Sequence, residues 1–146
     1  MNDHKKLANQ IRLDILKMIN LGSSSHIGSA LSCVNYLNID PKNPEKADRD
    51  IFILSKGHAG AAVYATLANL GFFPREKLES HYQNNSDLSG HVSHKNVPGV
   101  EFSTGSLGHG LSVGTGVALA MKKRLSNRKV AVLLSDGECD EGSVWE

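Results

Sequence analysis

Apolar residues open this chain at helical spacing. Leu7, Ile11, Ile15, Met18 and Ile19 fall on one face of a helix that starts near Asp3, a suitable N-cap. Gly22 stands where a left-handed C′ residue would close it. The polar triplet Ser23-Ser24-Ser25 then leads to His26 and Gly28, a loop between helices, and Ile27 to Leu37 reads as a second, short helix. Asp40-Pro41-Lys42-Asn43-Pro44 predicts a surface turn, because each proline removes a donor and disfavours helix before it.

The pattern then changes period. Ile51-Phe52-Ile53-Leu54 and Val130-Ala131-Val132-Leu133-Leu134 are apolar runs without polar alternation, which predicts strands buried on both faces of a parallel sheet. The first passes through Ser55-Lys56-Gly57-His58 into an Ala-rich helix from Ala59 to about Leu70. Pro74 opens another short helix at its N1 position. Asn84 to Gly99 is polar and turn-rich. Gly105-Ser106-Leu107-Gly108-His109-Gly110 starts a small-residue helix reaching about Lys123. Helices alternating with two strands predict an α/β fold with a parallel sheet, one partial domain over residues 1–146. Two strands do not make a covered parallel sheet, and the helix after the second is only starting at Trp145-Glu146. The fold is therefore expected to be incomplete at its C-terminal end, with further strands supplied by a partner or by a longer chain.

Charge narrows the function classes. Lys+Arg 16 against Asp+Glu 15 gives a formal charge of +1, with no basic block to hold nucleic acid and no polybasic contact for a membrane. No apolar run is long enough to span a bilayer, and Met1-Asn2-Asp3-His4-Lys5-Lys6 is not a secretory signal. Cys33 and Cys139 form no CxxC pair, so free thiols in a reducing compartment are expected rather than a disulfide framework. A soluble cytoplasmic protein is the expectation.

Ser135-Asp136-Gly137-Glu138-Cys139-Asp140-Glu141-Gly142 directly follows the second strand. In open α/β sheets, ligands bind just beyond the carboxyl ends of strands. Asp136 stands there either as a hard oxygen ligand for Mg2+ or as a cap on the next helix, with Gly137 allowing close approach of backbone to a ligand. Seven histidines invite a zinc hypothesis, but no HExxH or Cys/His cluster supports it. His4, His81 and His94 read as surface histidines. His26, His58, His91 and His109 differ, because each lies beside glycine or serine in a loop near a helix start, where phosphate groups bind and imidazoles move protons. Four such loops beside an Asp-Gly-Glu strand end favour a phosphate-bearing cofactor.

Ser25-His26-Ile27-Gly28, Leu54-Ser55-Lys56-Gly57-His58-Ala59 and Ser89-Gly90-His91 occur in order with Thr104-Gly105-Ser106-Leu107-Gly108-His109-Gly110 and the Ser135–Gly142 stretch. Together they resemble the start of transketolase-type thiamine diphosphate enzymes over nearly the whole chain. The likeness is greatest to the amino-terminal subunit of split transketolases. The resemblance implies a parallel-sheet thiamine diphosphate-binding fold that transfers a two-carbon ketol unit from a ketose or its phosphate to an aldose or its phosphate. Asp136 would ligate Mg2+ (or Ca2+ or Mn2+ in its place) on the cofactor diphosphate, and Gly137 would lay its backbone against that diphosphate. His58 would touch the diphosphate, and the Gly105-Ser106-Leu107 backbone the aminopyrimidine. His26 and His91 would line the substrate channel. Glu141 resembles the family's acidic residue buried between paired active sites; its other reading is a first-turn helix carboxylate.

The partner implied is a C-terminal transketolase subunit carrying the pyrimidine domain, within a homo- or hetero-oligomer. The sequence also departs from the family. Ser135 replaces a glycine, and about two helical turns are missing between Val34 and Asp40. The chain ends nine residues after Gly137 (146 minus 137), leaving no place for the family's second metal ligand, an asparagine. Two rival readings stay open: a non-catalytic remnant or interaction module of the same fold, and another thiamine diphosphate-dependent ketol synthase.

Overall fold

The structure is a computed structural model that describes residues 2–37 and 49–146. Helix α1 spans Asn2–Gly22 and buries Ile11, Ile15 and Met18, the stripe its apolar spacing predicts. It runs through Gly22 rather than stopping before it. Ser23 takes the left-handed conformation (φ 46°) expected of the glycine. Ser24 N donates to Ile19 O at 3.1 Å and Ser23 N to Asn20 O at 3.3 Å, the paired bonds of a Schellman ending one residue late. The reason lies outside the helix: a Cβ on Gly22 would meet the His81 carbonyl oxygen at 2.6 Å. Glycine is there for close approach, not for its φ.

Helix α2 (Ile27–Ser32) breaks at Cys33 into a 3₁₀ turn over Val34–Tyr36, shorter than the Ile27–Leu37 helix expected. The Asp40–Pro44 turn and the last residues (38–40) of the segment expected to be short by two turns lie outside the described residues. Strand β1 (Ile51–Leu54) pairs in parallel with β2 (Val130–Leu133), Ile51 opposite Val130 and Leu54 opposite Leu133. Between them come α3 (Gly60–Asn69) and α4 (His109–Lys123), then a 3₁₀ turn over Gly137–Asp140 and α5 (Gly142–Trp145) follow β2. Pro74 precedes a 3₁₀ helix over Arg75–Ser80; its ψ of 136° places it at the N-cap, not at N1.

Helix α3 is the centre of the core. Every residue from Gly60 to Ala68 is buried, so its alanine content lets α1, α2 and the loop bearing Leu88, Val92 and Val97 close on it from different sides. Asp14 ties this layer together. Its buried carboxylate accepts from Asn69 Nδ2 at 2.7 Å, Gln10 Nε2 at 3.1 Å and the Arg75 guanidinium at 2.8 Å. The other face of the sheet is covered by α4, where a Cβ on Gly114 would overlap the Val132 side chain.

Burial on both faces holds only for the end of β1, where Ile53 and Leu54 are buried. In β2, Ala131 is exposed and its neighbours are half-buried. The apolar run predicts a doubly covered strand, but β2 has β1 on one edge only among the described elements, and α4 shields one face.

If Gly22 is fixed by the His81 carbonyl, Gly22→Ala costs on the order of 1–3 kcal/mol, as overpacking does. Ser23→Gly, which relieves the left-handed strain, leaves stability equal or higher. Urea denaturation of both variants checks this; a Gly22→Ala variant as stable as the parent contradicts it.

Candidate active site

The strand ends organise the site through backbone contacts. Ser55 N extends the ladder to Leu133 O at 2.9 Å, and Thr104 Oγ1 donates to Leu54 O at 2.5 Å. Val92 N donates to Gly57 O at 2.9 Å, and Thr104 N to Val92 O at 3.3 Å. A Cβ on Gly57 would overlap the Thr104 carbonyl, and one on Gly60 would meet Val92 N at 2.9 Å. Three segments far apart in sequence are thus locked against one another. The locked residues sit directly beside His58, His91 and Gly105. An ideal Cβ on Gly105 would lie 3.8 Å from His91 Cδ2.

His26 comes from the loop between α1 and α2. Its backbone is left-handed (φ 69°, ψ 21°), a strained choice for a residue with a side chain. Its ring centroid lies 5.2 Å from that of His58 and 5.9 Å from that of His91. Tyr64 holds the His91 backbone, donating from Oη to His91 O at 3.1 Å and accepting from Ser93 N at 2.9 Å. The three histidines line one cleft of about 50 Å3. His58 has its pKa lowered, first by burial and then by the cationic fields of His26, Lys56 and His91; Glu138 opposes the shift.

His109 does not join them. It opens α4, exposed, with Nδ1 3.3 Å from the Leu107 carbonyl. His81, expected at the surface, is buried in the lining of the same cleft. Its Nδ1 lies 3.1 Å from Leu88 O, which can only accept, so Nδ1 carries the proton. Its Nε2 is 3.5 Å from Ser24 Oγ. Burial lowers the His81 pKa against the hydrogen bond to Leu88. The spacing of His81 in a polar stretch gives no sign of this; only the packing of α1 and α3 around it does. His4 and His94 are exposed as expected.

Two further candidate segments face each other across a buried carboxylate. Glu138 has no exposed surface. Its Oε1 accepts from Ser55 Oγ at 2.5 Å and from Gly108 N at 2.9 Å. Its Oε2 accepts from Ser135 N at 2.7 Å and Ser135 Oγ at 3.2 Å. Burial raises the Glu138 pKa, but these hydrogen bonds outweigh it and leave the carboxyl below its ordinary value. Ser135 Oγ also lies 3.3 Å from Glu138 N, so Ser135 and Glu138 satisfy each other reciprocally. That is the Ser-x-x-Glu capping box, a signal the sequence carries but the motif reading missed. Ser135 is accordingly more than a small stand-in for glycine.

Gly105, Ser106, Asp136 and Gly137 are exposed and Leu107 is half-buried. A Cβ on Gly137 would meet nothing within 4 Å. No hydrogen bond or ion pair engages the Asp136 carboxylate among the described residues, so it is available to a cation. Among those residues no three His, Cys, Asp or Glu side chains gather around a metal position. Among the described residues Asp136 would offer a divalent ion a single carboxylate ligand. Glu141 is exposed in this chain and extended (φ −80°, ψ 130°) ahead of α5, so it is not a first-turn carboxylate. Its Cβ neighbours Gly108, whose φ is 82°. Cys33 and Cys139 are both free. No helix among the described residues is long and apolar enough to cross a membrane.

Comparison with known proteins bears on this arrangement. The family described as transketolase, thiamine diphosphate binding domain, matches residues 3–146. The chain is 44% identical to one subunit of an apulose-4-phosphate transketolase from Actinobacillus succinogenes, across 97% of this chain and 55% of that protein. It is 38% identical to a 6-deoxy-6-sulfo-D-fructose transketolase subunit of a Clostridium species, across 99% of this chain and 55% of that protein. A crystal structure of Pichia stipitis transketolase in complex with sedoheptulose-7-phosphate is similar, with a TM-score of 0.85 and 30% identity. That match covers 97% of this chain and 24% of that one. The chain spans about half the length of the curated relatives it matches.

His58 and His81 set the acid limb of stability. Both have folded-state pKa values below the ordinary 6.5, so the unfolded chain binds more protons as pH falls through that value. The contribution of these groups is therefore expected to be full above pH 6.5 and to decline below it, with a separate loss from Glu138 beginning near its ordinary 4.5. Urea melts across this range are expected to show a shallower decline for His81→Gln than for the parent between about pH 6.5 and 5. Equal slopes contradict the assignment.

Proposed function

The chain belongs to the transketolase thiamine diphosphate-binding domain family, and on that premise we propose that it binds the diphosphate end of thiamine diphosphate within a split transketolase. The observation that carries the reading is the convergence of His26, His58 and His91 beside Gly105 at the carboxyl ends of the strands. Asp136 holds Mg2+, or Ca2+ or Mn2+ in its place, and the backbone at Gly137 lies against the diphosphate together with His58. A neutral His58 donates a hydrogen bond to a phosphate oxygen, and its depressed pKa fits that state near neutral pH. The Gly105-Ser106-Leu107 backbone meets the aminopyrimidine.

Bound thiamine diphosphate supplies the carbon nucleophile and electron sink for carbon–carbon cleavage and formation. The protein orients the sugar and moves its protons. His26 and His91 face the sugar hydroxyls, close enough to His58 for one substrate to touch all three. Glu141 becomes buried when two sites pair. The two relatives named for a sugar phosphate and a sulfofructose support a ketose with an anionic group as donor; the acceptor in this reading is an aldose or its phosphate.

A cleft of about 50 Å3 is far smaller than the ~300–1,000 Å3 of ligand pockets. A second surface must complete it, and the naming of both relatives as subunits supports a separate chain with the pyrimidine domain. Two free thiols support a reducing, cytoplasmic setting.

Two outcomes are expected. The chain alone, given cofactor and Mg2+, shows little or no ketol transfer; robust transfer by the single chain contradicts the need for a partner. In the reconstituted two-chain assembly, Asp136→Asn weakens Mg2+-dependent cofactor binding about tenfold or more, equivalent to ~1.4 kcal/mol, while the fold is kept. Asp140→Asn changes it little. Calorimetric titration decides. An Asp136→Asn variant that binds like the parent removes the metal assignment, and a parent that binds no cofactor favours the non-catalytic remnant.

A further inference from the structure

Glu138 joins three segments that carry different parts of the proposed cofactor site. Ser55 precedes the turn of His58, Gly108 follows Gly105-Ser106-Leu107, and Ser135 precedes Asp136. All three donate to one carboxylate that has no exposed surface. We propose that Glu138 is a positioning residue for the cofactor, fixing the span between the 105–107 backbone and the Asp136–Gly137 turn. The inference rests on the diphosphate-site reading above and deepens it.

The chemistry of the junction selects a carboxylate. Oε1 meets the Ser55 hydroxyl and the Gly108 amide, and Oε2 meets the Ser135 amide and hydroxyl. Only a group that accepts on both ends satisfies this set. A glutamine has one donating end, which must face either the Gly108 amide or the Ser135 amide and pushes that loop away. An apolar side chain leaves both amides buried and unpaired. The two amides belong to residues adjacent in sequence to the proposed aminopyrimidine and metal contacts, so a shift at either end changes the spacing the cofactor must bridge. A staple serving stability alone would lower folding free energy without discriminating between ligands that touch one loop and ligands that touch both.

That difference is the test. In the reconstituted assembly with saturating Mg2+, affinities for thiamine diphosphate and for inorganic pyrophosphate are measured for the parent, Glu138→Gln and Asp14→Asn. Asp14 is a buried carboxylate outside the site that ties α1 to α3 and Arg75, and serves as the stability control. Glu138→Gln is expected to weaken thiamine diphosphate about tenfold or more, and pyrophosphate, which reaches His58 and the Asp136–Gly137 turn but not the 105–107 backbone, less than about threefold. Asp14→Asn lowers the unfolding midpoint and leaves both affinities unchanged. Should Glu138→Gln fail to fold, Ser55→Ala, which removes a single donor from the carboxylate oxygen that also holds the Gly108 amide, is expected to show the same selective loss on a smaller scale.

Equal weakening of both ligands, unchanged affinities, or the same loss in Asp14→Asn overturns the proposal while leaving the diphosphate site in place. A parent that binds pyrophosphate but not thiamine diphosphate, or neither, overturns the reading on which the proposal rests as well.

Discussion

Backbone crowding at Gly57 governs the geometry around the strand ends. The Thr104 carbonyl occupies the space a side chain would need, and the Gly57 carbonyl accepts from Val92 in the same knot. No larger residue permits this approach without displacing main chain, which is far costlier than moving the tip of a flexible side chain. Because the knot is made of backbone, it holds its neighbours regardless of their side chains. None of these contacts uses a side-chain atom of His58 or His91. Tyr64, drawn from the buried helix α3, extends the same logic by gripping the His91 carbonyl and the Ser93 amide.

Much of this is legible in the residue pattern, for physical reasons. The stripe of Ile11, Ile15 and Met18, the alanine-rich α3 and the paired apolar runs each carry their burial in their period. The order of Ser25-His26, Lys56-Gly57-His58, Ser89-Gly90-His91 and the two glycine loops points to the family that the comparisons show. What escapes the pattern depends on contacts between distant segments. The placement of Gly22 answers to the His81 carbonyl, not to its own helix. His81 looks solvent-facing within a polar stretch, yet it fills the wall between α3 and the loop at Ser24. The pattern overstates the burial of β2, because an apolar run reports what a strand would bury in a complete sheet, not what is present beside it. Glu138 lies in plain view three residues after Ser135, but its third and fourth partners come from Ser55 and Gly108, which no local pattern connects.

The site is uneven in its completeness. Its histidines are tightly grouped and its loops are cross-linked by buried hydrogen bonds, while Gly105, Ser106, Asp136 and Gly137 present open backbone and an unengaged carboxylate. Rigid support beneath exposed contact groups is the arrangement that pre-organises a surface for a ligand, since little ordering cost remains on binding.

Where the cofactor lies is the central question, and a crystal structure of the two-chain assembly grown with thiamine diphosphate and Mg2+ measures it in one step. The diphosphate is expected against His58 and the Gly137 backbone, the metal on Asp136, and the aminopyrimidine along Gly105–Leu107, with His26 and His91 lining the substrate channel. A cofactor seated away from these residues, or a metal without Asp136 among its ligands, would contradict the assignment.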